Sequence, residues 1–67
     1  MTIADDIEAL VDSHGLYAVV NHLEAICHGK ADHVATNWQD HDMARRWERA
    51  AKVFEQADNK LHRIQLP

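Results

Sequence analysis

Six histidines and one cysteine stand in a chain of 67 residues, and imidazole and thiolate are side chains that hold transition metals. Four of those histidines, His22, His28, His33 and His41, lie close to Cys27 in sequence. A helix presents ligands to one ion from positions three or four apart, whereas His28 and His33 are five apart and His22 and His28 are six apart. Cys27 and His28 are adjacent, so on a helix their side chains diverge by about 100°. No Cys-x-x-Cys pair occurs. The spacing therefore predicts no metal and no cofactor, and places the histidines at solvent-facing or capping positions.

The same divergence separates Cys27 from His28 as a nucleophile and its base, and no glycine-rich loop supplies an oxyanion site. A cysteine inside an apolar stripe is expected as a buried thiol. His28 groups with Glu24 and Asp32, each one turn away, as a cluster on a helix surface. The acid pairs Asp5 with Asp6 and Asp40 with Asp42 fall at helix starts, where capping accounts for them. No residue is assigned a catalytic role, and the chain reads as non-enzymatic.

Two further groups could contact a partner. Arg45, Arg49 and Lys52 share a helical face with Arg46 beside it, opposite Trp47, so the bases could reach phosphates while the tryptophan anchors the core. Against nucleic acid stands a net charge of −4, because phosphate binding follows summed positive charge. Arginines lying near an acidic first helix would explain the cluster equally well. Trp38 sits in a polar connection with Asn37, Gln39 and Asp40, where an indole either plugs the end of a bundle or stands at an interface. Tyr17, on the polar edge of its helix, can hydrogen-bond near one end. Tyr17, Trp38, Arg45, Arg46 and Arg49 are the candidate partner-binding residues, since aromatic and arginine side chains supply interface hot spots.

The elements that position these residues are helical. Thr2 and Asp5 have capping-box spacing, and Ile3, Ile7, Leu10 and Val11 form one face, predicting a helix over roughly 3–12 that Ser13, His14 and Gly15 interrupt. Leu16, Val19, Val20, Leu23, Ile26, Cys27, Ala31 and Val34 keep helical phase through Gly29, predicting a second helix over roughly 16–36. Gly29 costs about 1 kcal/mol against alanine there, and its small size could admit a close neighbour or mark a kink. Asp40 or Asp42 caps a third helix over roughly 41–61, with Met43, Trp47, Ala50, Ala51, Phe54, Ala57 and Leu61 on its apolar face and Glu48 paired with Lys52. The tail, 62–67, frays or docks through Ile64 and Leu66.

These elements make one all-α domain across residues 1–67, either a three-helix bundle or a long antiparallel hairpin with a short helix folded across it. A chain this short buries only about 60% of its unfolded surface, and a lone cysteine cannot staple it. The first helix covers half the length of the other two, so the stripes point to a homodimeric bundle. Charge is uneven: residues 1–42 hold eight acids and one base, a net −7, and residues 43–67 hold six bases and three acids, a net +3. Such polarity suits pairing of opposite ends, within a chain or between two copies. The absence of disulfide pairing, of a signal-like start and of an apolar run near the roughly 18 residues that span a bilayer points to a cytoplasmic protein with no membrane partner.

The segments His14-Gly15-Leu16, Lys30-Ala31-Asp32-His33, Asn37-Trp38-Gln39-Asp40 and Ala44 to Trp47 to Ala50-Ala51 resemble a family of short uncharacterised bacterial and prophage proteins. The resemblance spans most of the chain and implies kinship without an assigned activity, so it carries over no functional residue. A phage or mobile-element origin fits a small acidic helical protein that binds and modulates a host protein. The expected function is thus a regulatory protein-interaction module, with a DNA- or RNA-binding regulator as the alternative.

Overall fold

A computed structural model of the chain describes residues 2–66. It contains three helices, α1 (Ile3–His14), α2 (Leu16–Asn37) and α3 (His41–Leu61), in that order. α1 starts as its capping box requires: Thr2 Oγ1 accepts from the Asp5 N–H at 3.1 Å, and the Asp5 carboxylate accepts from the Thr2 N–H at 3.3 Å. These two bonds satisfy donors that no helical carbonyl reaches. α1 runs through Ser13 and His14, two residues beyond the expected end, because Gly15 alone stops it. Gly15 has φ +89° and ψ 154° and sends its N–H back to the Val11 carbonyl at 2.7 Å. That extended positive-φ region is open essentially to glycine, and differs from the left-handed helical conformation expected at a helix end.

α2 passes through Gly29 without interruption. A Cβ built on Gly29 would meet nothing within 4 Å, so no close neighbour explains the glycine, and the helix does not break there. α2 ends where the N–H groups of Trp38 and Asp40 both reach the Val34 carbonyl, at 3.2 and 3.1 Å. Gln39 makes this reversal possible with φ +53°, an unusual value for a residue bearing a Cβ. Of the two acids offered as caps for α3, Asp40 serves: its Oδ1 accepts from the Met43 N–H at 2.9 Å.

α2 and α3 pack together as a hairpin, and α1 touches α2 but not α3. The expected choice between bundle and hairpin is therefore settled in favour of the hairpin with a short helix beside it. Among the described residues only Cys27, Ala31, Val34 and Ala51 are buried, with Ala51 at 0% exposure. Small side chains bring the two helix backbones close, while Trp47, Phe54 and Leu61 are half-buried around the seam. The molecule measures 42 × 32 × 13 Å, so the three helices form essentially one layer.

That flatness corrects the expected stripes. Leu23 and Ile26 lie on the solvent side of α2, Ile26 with 54% of its surface exposed. α1 buries no residue, and Ile3, Ile7 and Leu10 are open to solvent. The Glu48–Lys52 pair is replaced by a contact across the hairpin, in which His28 Nδ1–H donates to Glu48 Oε2 at 3.0 Å. Among the described residues α1 makes no contact with the arginines of α3, so the acidic helix does not explain them.

Two substitutions test the backbone reading. Gly29→Ala should raise the urea unfolding free energy by about 0.5–1 kcal/mol, because it adds helix propensity in open space. Gly15→Ala should lower it by about 1–3 kcal/mol through backbone strain, although the added methyl also meets nothing.

Candidate functional site

The five candidate residues do not converge. Tyr17 lies in the first turn of α2 and Trp38 follows its last residue, so about 30 Å of helix separates them. The Tyr17 hydroxyl donates to the Ile64 carbonyl, and its ring stacks on His62 with centroids 4.6 Å apart. Tyr17 thus holds the chain's own tail; of the two apolar residues expected to dock it, Leu66 borders a hollow with Val11, Leu16 and Tyr17, while the Ile64 side chain stays exposed. His62 is fixed in turn: its Nδ1–H donates to the Asp58 carbonyl at 2.8 Å and lies 3.5 Å from Asp58 Oδ1.

Trp38 is 73% exposed, which rules out the end-plug reading. Its ring leans toward His33 at a centroid distance of 6.3 Å, and Asn37 Nδ2 lies 2.9 Å from His33 Nδ1. Near this end, Arg45 donates to Asp42 one turn back on the same helix. Hydrogen bonding and the positive charge of Arg45 hold the Asp42 carboxyl below the usual carboxylate range. A lowered carboxyl pKa favours the folded state at neutral pH, and that contribution is lost only as pH falls through the lowered value. Arg46 and Arg49 are exposed and, with Lys52, have no acid within ion-pair distance among the described residues. Trp38, Arg45 and Arg46 therefore lie toward one end of the hairpin, with Arg49 further along α3 and Tyr17 at the other end of α2.

A different surface is predominantly apolar. A groove of about 310 Å³ runs between α1 and α2, lined by Leu10, His14, Val19, His22, Leu23 and Ile26. The 100° step of a helix places Met43, Arg46 and Val53 of α3 on the same side of the layer as Leu23 and Ile26. Met43 and Val53 are both exposed. The opposite side is polar, with His28 between Glu24 and Glu48 at 3.4 and 3.0 Å. Periodicity missed this division because Val19, Leu23 and Ile26 keep phase with the residues that face α3. The flat arrangement of the helices, which no local pattern records, decides which apolar residues are covered.

The histidines are dispersed. His14 and His22 line the groove, His28 bridges the hairpin, His33 approaches Trp38, His41 opens α3, and His62 stacks on Tyr17. Among the described residues no three His, Cys, Asp or Glu side chains are grouped to hold a metal ion. Cys27 is a free, buried thiol. No described helix is long and apolar enough to cross a membrane. Compared with protein-family models, curated proteins and solved structures, the chain matches none.

Removing the tail latch isolates its contribution. Tyr17→Phe should lower stability by about 0.5–1.5 kcal/mol, the net contribution of one hydrogen bond. Trypsin should then cut after Arg63 faster than in the parent chain, while the amide exchange of α2 and α3 is unchanged.

Proposed function

We propose that this chain is a small non-enzymatic, regulatory interaction module that acts by laying the apolar side of its helical layer on another macromolecule. The observation that carries this reading is that Ile7, Leu10, Leu23, Ile26 and Met43 are open to solvent in so small a fold. Contiguous apolar surface on a small domain marks a binding face. The reading extends to a cytoplasmic setting, where a single unpaired thiol is stable. The resemblance of its segments to short prophage proteins is what suggests a modulator or inhibitor of a bacterial host protein.

One observation favours a second reading: Arg46, Arg49 and Lys52 have no acid partner in the described chain. Exposed unpaired bases on one helix suit phosphate contact, so α3 is the element through which nucleic acid would bind. The net charge of −4 opposes it.

A photo-crosslinking amino acid in place of Ile26 tests the first reading. Irradiation of cells producing that variant should yield a covalent protein adduct, and the same replacement at Glu55, on the polar side, should not. Equal labelling at both positions, or none at Ile26, refutes the apolar side as the binding face. For the second reading, affinity for mixed-sequence DNA should be undetectable at low salt. Binding that falls steeply with salt and disappears in Arg46→Glu/Arg49→Glu would establish nucleic-acid recognition instead.

A further inference from the structure

We infer that the occupant of the α1–α2 groove is a second copy of this chain, docked about a two-fold axis with the two apolar sides face to face. The inference rests on the interaction reading above and names its partner. Three observations support it: the surface area, the two-sidedness of the layer, and the distribution of unpaired charge.

The chain exposes 5512 Å², whereas a compact monomer of 7.7 kDa exposes about 4,300 Å². The excess, about 1,200 Å², exceeds the roughly 800 Å² that each partner contributes to a standard stable interface. The radius of gyration agrees. It is 14.0 Å, against about 11 Å for a globular chain of this length and about 14 Å for one of twice the length. One additional layer of the same size is thus what the surface lacks.

The two sides of the layer differ along α2 and α3. Leu10, Val19, Leu23 and Ile26 form its apolar side, and the Glu24–His28–Glu48 bridge marks the other. A face that meets its own copy by a two-fold operation closes at two chains, and the polar backs do not propagate the contact. Helices stacked this way pack at about 8–10 Å and bury the groove from both sides.

Charge favours a copy over an unrelated protein. Among the described residues, Asp5, Asp6, Glu8 and Asp12 of α1 have no basic side chain within ion-pair distance, and Arg46, Arg49 and Lys52 of α3 have no acid. α1 does not reach α3 in the same chain. Each chain therefore carries both halves of a complementary pair that it cannot join by itself, and Arg46 borders the apolar side where α1 of a partner copy would cross.

Sedimentation equilibrium of the purified full chain, from about 1 to about 100 µM, reads the outcome through mass action. The expected mass is twice 7.7 kDa, and Ile26→Glu should weaken the dimer by at least about 100-fold, since it buries a charge without a partner. If that variant unfolds, isotope-filtered NMR on a mixture of labelled and unlabelled parent chains replaces it. Interchain cross-peaks at the methyls of Leu10, Leu23 and Ile26 are expected. A monomeric parent chain at the highest concentration, or interchain cross-peaks confined to other residues, overturns the inference. If that monomer still gives the Ile26 crosslink to a different protein, only self-association fails; if the crosslink is absent too, the interaction reading fails with it.

Discussion

The contact between α2 and α3 is the constraint from which the rest of the molecule follows. It is built from Cys27, Ala31, Val34 and Ala51, side chains small enough to let two long helices lie close. Close approach leaves little room for large residues in the seam, so Trp47, Phe54 and Leu61 flank it half-covered and Leu23 and Ile26 turn outward. A hairpin made this way is wide and thin. α1 is too short and too far to one side to cover both helices, and its own Ile3, Ile7 and Leu10 join the uncovered set. The polar contacts conform to the same geometry. His28 crosses the hairpin to Glu48 on one side of the layer, while the apolar groove lies on the other.

The local determinants were legible in the sequence. Thr2 with Asp5, Gly15 and Asp40 act where their chemistry indicated, and helical periodicity located three helices to within two residues at each end. These are interactions within a few residues of the chain, so spacing encodes them. The turn at Trp38–Asp40 was less readable, because a positive φ at Gln39 has no residue-type signal of the kind that asparagine or glycine provides. Partners distant in sequence were not readable. Glu48 has Lys52 one turn away yet contacts His28, and Tyr17 reaches a backbone carbonyl 47 positions on.

The candidate site follows the same division. Exposure of Arg46 and Arg49 agrees with the helical wheel, and Arg45 is engaged by Asp42, a neighbour that the wheel also contains. Trp38 was ambiguous from composition and only its 73% exposure decides against an end plug. The groove itself has no motif, since Leu10 and Ile26 belong to different helices and meet only through the corner at Gly15. Conversely, the six histidines give a strong compositional signal, yet they stand at separate positions with different neighbours. Abundance of a residue type carried less information here than the direction in which each side chain leaves its helix.

The separation along the chain between contacting residues also shapes how the molecule assembles. α2 and α3 are joined by only Trp38, Gln39 and Asp40, so their first contacts close a very small loop, and topologies dominated by such loops reach the native state quickly. Pairing that spreads outward from this reversal brings Tyr17 and Ile64 together last, across the longest span. The tail is accordingly expected to be the first segment released in thermal fluctuations, with the tip of the hairpin holding to the end.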